Sequence, residues 1–112
     1  MSSVTFILHK PQLSENIGAC ARAIKNFNFN KLSIISPKPL FPNDKILATS
    51  VGAKEIIKSS KVFDNLESSI KNIDYLIATS SRSRNKNIKH ITLNELSKLD
   101  FNKNIGFLFG SE

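Results

Sequence analysis

Val4-Thr5-Phe6-Ile7-Leu8-His9-Lys10-Pro11-Gln12-Leu13-Ser14-Glu15-Asn16-Ile17-Gly18-Ala19-Cys20-Ala21-Arg22-Ala23-Ile24 runs through both periods of an α/β unit. Residues 4–8 are β-branched or apolar and are bounded by Pro11, which reads as a strand. Ile17, Cys20, Ala21, Ile24 and Phe27 then recur at helical spacing and give one apolar face. Ser14 stands where an N-cap is needed, and Glu15 lies in the first turn, where a negative charge suits the helix dipole. The helix runs out at Asn26-Phe27-Asn28. Leu32-Ser33-Ile34-Ile35 follows as a second strand, stopped by Ser36-Pro37.

The same alternation continues outward. Residues 38–43, with Pro39 and Pro42, read as a loop. A helix is expected from Asp44 through Ile46, Leu47, Ser50 and Val51, broken near Gly52, with 53–58 continuing it. Val62-Phe63 is a short third strand. Asp64 is expected to cap the next helix, with Glu67 as its capping-box partner. Tyr75-Leu76-Ile77-Ala78-Thr79 reads as a fully buried fourth strand, and 80–89 as a polar, basic loop. Thr92-x-x-Glu95 forms a second capping box, stapled by Ile91 and Leu96. Ile105-Gly106-Phe107-Leu108-Phe109 is a fifth strand, before Gly110-Ser111-Glu112. There is no internal repeat and no linker. The expectation is one α/β domain over 1–112: a parallel, Rossmann-like sheet of about five strands with helices on both faces.

The bulk properties narrow the function classes. A chain of 112 residues with 40% hydrophobic and 22% charged residues suits one globular domain with a small core. Its net charge of +7 favours a polyanionic partner such as nucleic acid. An anionic membrane surface would suit the charge too, but no long basic amphipathic helix supports that reading. No apolar run approaches a membrane span, and no signal peptide is evident. The single cysteine, Cys20, cannot form an internal disulfide and reads as a small core residue. His9 and His90 are far apart and complete no metal-ligand spacing with it, so no metal is expected. A reducing cytoplasm is the natural compartment. The abundance of lysine and asparagine, against three arginines, suggests biased genome composition, which weakens the charge argument.

In open α/β sheets ligands bind beyond the carboxyl ends of the strands. By that rule strand one delivers His9, Lys10, Pro11 and then Asn16, strand four delivers Ser80, Ser81, Arg82 and Arg84, and strand five delivers Gly110, Ser111 and Glu112. Arg22 lies about one and a half turns into its helix, and its side chain tilts back toward the same rim. Two arginine-bearing segments, an amide and a carboxylate are thus expected to converge on a phosphate-rich ligand. A dinucleotide fingerprint is absent, since only Gly18 of G-x-G-x-x-G is present, and so is a P-loop. A receiver-type signalling domain would need an acidic pair after strand one, where this chain has His9-Lys10-Pro11.

Pro11-x-x-x-x-Asn16-Ile17-Gly18-x-x-x-Arg22-Ala23, followed by Asn26-Phe27 and 32–37, closely resembles the first motif of the SpoU-type RNA ribose methyltransferases, knotted α/β enzymes of the SPOUT superfamily. Thr79-Ser80-Ser81-Arg82-Ser83-Arg84 resembles the Thr-Ser-x-Arg-x-Arg segment of the TrmJ-like branch, which modifies tRNA. Phe109-Gly110-Ser111-Glu112 resembles the start of the second motif. The resemblance implies methyl transfer from S-adenosylmethionine to a ribose 2′-hydroxyl. It implies that Arg22 is the catalytic arginine, with Asn16 its motif partner and Glu112 the glutamate of the second motif. It places Gly110, Ser111, Thr79 and Ser80 on the cofactor side, and Arg82, Arg84 and Lys10 on the RNA. The family works as a homodimer. Its members continue past the second motif into a third motif and a C-terminal helix, which thread the knot and form most of the cofactor cup. The chain is therefore expected to be the N-terminal part of such an enzyme and inactive alone. The alternatives are a non-catalytic RNA-binding module or a non-functional remnant.

Overall fold

A computed structural model describes residues 3–78 and 102–110. The elements in order are β1 (Ser3–His9), α1 (Ser14–Asn26), β2 (Lys31–Ile35), α2 (Asp44–Thr49), α3 (Lys54–Ser59), β3 (Lys61–Phe63), α4 (Leu66–Ser69), β4 (Tyr75–Ala78) and β5 (Asn104–Phe109). The five strands form one parallel sheet in the order β3-β2-β1-β5-β4. β1 is central, with Phe6 opposite both Leu32 of β2 and Phe107 of β5.

Strand alternation sends β1 into two cores. Phe6 and Leu8 face α1, α2 and α3, where Ile17, Ala21, Ile24, Leu32, Ile34, Ile46, Ile56 and Ile57 are buried together. Ile7 faces the other side, where it is buried with Ile35 and Leu108 against Phe63, Leu66, Ile70 and Leu76. Helices therefore cover both faces of the sheet, as expected. Each fully buried isoleucine contributes roughly 2–3 kcal/mol of apolar transfer, so Ile7 and Ile34, both wholly inaccessible, anchor the two layers.

Several local expectations are corrected. Ser14 is the first residue of α1 and not its cap. Leu13 holds the N-cap position without a side-chain bond, and the Ser14 hydroxyl accepts instead from Asn43 Nδ2 at 3.0 Å. Asp64 is not the cap of α4 either: one residue on, Asn65 accepts from the Ser68 N–H at 2.8 Å. The carbonyl of Asp64 is taken up by the Ser36 hydroxyl. Residues 53–58 do not continue α2. Gly52 turns the chain at φ 80°, and α3 begins afresh at Lys54. Phe27 leaves the apolar face because it caps the C-terminus of α1, and it is 74% exposed. In β4 only Ile77 is buried, because β4 is the edge of the sheet. The capping box at Thr92 and Glu95 and its staple lie outside the described residues.

Among the described residues no helix is long and apolar enough to cross a membrane.

Candidate functional site

The carboxyl ends of β1 and β5 open into a cleft of about 240 Å³, lined by Leu8, His9, Pro11, Asn16, Ile17, Cys20, Phe109 and Gly110. Its position follows from the strand order: β1 and β5 are neighbours, and Leu8 is paired with Phe109. α1 begins at this cleft, so its first-turn N–H groups and the positive end of its dipole favour an anion there. Glu15, in that turn, is engaged by Lys45 at 2.7 Å, which holds its carboxyl below the ordinary range.

The rim backbone is held in unusual conformations. Lys10, just after β1, has φ 52°, and Ser36, just after β2, has φ 45°. Both are left-handed residues that carry a Cβ, a conformation that costs roughly 1–2 kcal/mol. Three bonds hold them: Lys10 N–H to Ile35 O at 2.8 Å, Ser36 N–H to Phe63 O at 2.9 Å, and Lys38 N–H to Pro11 O at 2.9 Å. Strained residues of this kind cluster at ligand-binding rims.

Two groups in the cleft are perturbed. Burial and the neighbouring Lys10 charge push the His9 imidazole below its ordinary 6.5, which favours its neutral form. Burial pushes the Cys20 thiol up to about 11, so it is a packing group and not a nucleophile. Phe109 belongs to an aromatic row, its ring centroid 6.2 Å from that of Phe6, which in turn lies 5.6 Å from Phe107. Beyond Phe109, a Cβ added at Gly110 would meet nothing within 4 Å among the described residues.

Of the residues expected to form the site, Asn16 and Gly110 line the one cleft. Lys10 is exposed on the adjoining rim. Arg22 is exposed on α1 and is not among the residues lining the cleft. Six residues of helix set it about 9 Å along and roughly 120° around from Asn16. Among the described residues it forms no ion pair. Thr79, Ser80, Arg82, Arg84, Ser111 and Glu112 lie outside the described residues. Cys20 and Phe109 were not among the expected site residues, whereas His9 stands among those that strand one is expected to deliver to the rim, and it lines the cleft. The place of Phe109 at the carboxyl end of β5 could have flagged it; Cys20 carried only a core signal. Among the described residues no group of three or more His, Cys, Asp or Glu side chains is placed to hold a metal ion.

The model of the SpoU rRNA Methylase family matches residues 3–112. The chain is 35% identical over 114 residues to the tRNA (cytidine-2′-O-)-methyltransferase TrmJ of Methanocaldococcus jannaschii, covering 97% of this chain and 49% of that protein. It is 40% identical over 97 residues to the uncharacterized tRNA/rRNA methyltransferase LasT of Escherichia coli, covering 86% of this chain and 42% of LasT. Among solved structures, TrmJ from Z. mobilis ZM4 superposes with a TM-score of 0.85 at 28% identity, over 99% of this chain and 50% of that one. The chain thus spans about half the length of the curated relatives it matches.

Proposed function

Because this chain belongs to the SpoU rRNA methylase family, we propose that it is the N-terminal, RNA-facing part of a tRNA 2′-O-ribose methyltransferase. The observation that carries the reading is the opening of α1 on the β1–β5 cleft, which puts Asn16 and Gly110 on one rim at the carboxyl edge of the sheet. The relatives named as tRNA 2′-O-methyltransferases or tRNA/rRNA methyltransferases support the substrate class. So does the net charge of +7.

The methyl donor in this proposal is S-adenosylmethionine. When bound, it supplies an electrophilic methyl group. The cleft fits one end of such a molecule: Leu8, Ile17 and Phe109 offer an apolar wall, and among the described residues nothing crowds Gly110. At about 240 Å³ it falls below the roughly 300–1,000 Å³ typical of sites for ligands of that size. It therefore represents one part of the donor site, with Thr79, Ser80 and Ser111 assigned to the remainder. The chain's own residues act on the acceptor. Asn16 and the first turn of α1 orient an RNA phosphate and ribose. Arg22 holds the adjacent phosphate and stabilises the alkoxide that develops on the 2′-oxygen, since a guanidinium is a poor general base. Glu112 belongs to the same constellation. Lys10, Arg82 and Arg84 bind the RNA backbone. A cytoplasmic setting and pairing of two copies belong to the same proposal.

The test is transfer of labelled methyl groups from S-adenosylmethionine to unmodified tRNA by the full polypeptide, read as ribose 2′-O-methyl dinucleotides that survive alkaline hydrolysis. Arg22→Ala is expected to lower the rate by about 10²–10³, the loss usual for an oxyanion-stabilising group, and Arg22→Lys not to restore it. Tight tRNA binding with no methyl transfer by the full polypeptide would replace this reading with that of an RNA-binding module. Micromolar binding of S-adenosylmethionine by the 112-residue chain alone would overturn the division of the donor site.

A further inference from the structure

The sheet face under α4 is divided across its width. Toward the carboxyl ends it is apolar, with Ile7, Ile35 and Leu108 buried together. Toward the amino ends, the positions that alternation places on the same face are polar: Ser3 and Thr5 on β1, Lys31 and Ser33 on β2, Lys61 on β3 and Asn104 on β5. Register makes them neighbours, with Ser3 opposite Asn104, Thr5 opposite Lys31, and Ser33 opposite Lys61. A parallel sheet covered on both faces reads as continuously apolar, so a contiguous polar block on an inner face is not scattered surface solvation.

These residues line a groove of about 960 Å³, completed from the α4 side by Ser68, Ser69, Lys71 and Asn72, with Leu32, Phe63 and Ile73 as its apolar lining. Lys31, Lys61 and Lys71 are all exposed, and none is in an ion pair among the described residues. No carboxylate is among the lining residues. Asp74, which touches one of them, accepts the Asn104 backbone N–H at 2.8 Å. The Asn104 side chain is itself fixed, accepting from the Ser3 hydroxyl at 2.9 Å and donating to the Asn72 carbonyl at 3.0 Å.

We propose that this groove is a second RNA-contacting surface, holding sugar–phosphate backbone of the same RNA whose ribose enters the cleft at the opposite end of the sheet. The inference rests on the RNA reading above. Lysines with hydroxyl and amide groups are the inventory of backbone contacts, which position a nucleic acid without reading its bases. Protein interfaces, by contrast, are anchored by aromatic residues and arginine and are depleted in lysine. The two ends of the sheet lie about 20 Å apart, at roughly 3.3 Å per strand residue. A folded RNA spans that distance and a mononucleotide does not.

The test compares tRNA binding by the full chain, the triple variant Lys31→Gln/Lys61→Gln/Lys71→Gln and the rim variant Lys10→Gln across a salt series. Each lost phosphate contact lowers the slope of log K against log salt by about 0.7–0.9. The triple variant is expected to lose about 2 in slope and roughly tenfold or more in affinity near 0.1 M salt, whatever the RNA sequence. Lysine acylation of the wild-type chain supplies an independent readout: bound tRNA is expected to protect Lys31, Lys61 and Lys71. Wild-type binding with an unchanged slope in the triple variant, or with no protection, overturns the groove and leaves the reading of the cleft standing. Protection by inorganic phosphate or by an acidic peptide at equal concentration also overturns it. Failure of the wild-type chain to bind tRNA at low salt overturns the RNA reading itself.

Discussion

Gly18 shows how tightly one residue constrains the packing behind the cleft. It is buried on α1 beside Ile17, which belongs to the core and lines the cleft. A Cβ built at Gly18 would lie 2.0 Å from Thr49 Oγ1 and 2.8 Å from the Thr49 carbonyl carbon. The first contact is a side chain that already hydrogen-bonds to the Lys45 and Ile46 carbonyls, at 2.8 and 3.2 Å. The second is backbone, so no rotamer change relieves it. Alanine is favoured over glycine within a helix by about 0.8–1.0 kcal/mol, but here α1 and α2 would have to move apart. Overpacking of this kind costs about 1–3 kcal/mol. Gly18→Ala is therefore expected to lower the unfolding free energy by about 1–2 kcal/mol in urea titration. Thr49→Ala in the same background is expected to recover only part of the loss. A variant as stable as the parent would show that α1 and α2 do not approach as described.

At the scale of the element, α1 ends in a Schellman motif. The Phe29 N–H bonds to the Ile24 carbonyl and the Asn28 N–H to the Lys25 carbonyl, both at 2.9 Å, with Asn28 left-handed at φ 65°. The motif turns Phe29 back onto the sheet, its ring centroid 5.4 Å from that of Phe6. Asparagine tolerates this backbone and a β-branched residue does not, so Asn28→Val is expected to cost about 1–2 kcal/mol. Asn28→Gly is expected to be neutral or slightly stabilising. Thermal denaturation followed by circular dichroism separates the two, and equal melting temperatures would refute the assignment. The strand–helix alternation, the break at Gly52 and the meeting of Asn16 with Gly110 were legible in the sequence, because periodicity and the carboxyl-edge rule are properties of whole elements. The caps were misplaced by one residue: Asp64 and Asn65 are equally competent caps, and Ser14, a better cap by type than Leu13, accepts from Asn43 instead, so only tertiary contacts decide. The polar groove was illegible for another reason. β3 is three residues long, too short to declare which side of it faces inward. The angle between Arg22 and Asn16 was available from helical geometry, but the side on which the cleft opens was not.

Taken as a whole, the molecule carries titrating groups that limit its stability from both ends of the pH scale. His9, Glu15 and Glu55 all have folded values below their ordinary ones: His9 chiefly through burial, Glu15 through Lys45, and Glu55 through Lys25. For each, the unfolded chain holds more protons between the two values. Their contribution is complete above the ordinary value and is lost as pH falls through the folded one. His9 therefore begins to count against the fold below pH 6.5, and the two glutamates below 4.5. Both glutamate pairs are solvent-exposed, so 1 M salt should flatten the lower acid limb. Cys20 has the opposite sign. Its folded value of about 11 lies above the ordinary 9.0, so its contribution is complete below pH 9 and is lost as the unfolded thiol ionises. A shift of that size corresponds to a loss of about 2.7 kcal/mol on the far alkaline side, of which about 2 kcal/mol is reached by pH 10.5. Urea titrations at pH 8 and pH 10.5 are expected to show this loss in the parent and a smaller one in Cys20→Ala. The comparison between the two proteins isolates the thiol. An equal alkaline loss in parent and variant would mean that the thiol faces solvent, and that the wall of the cleft formed by Ile17 and Cys20 is not closed.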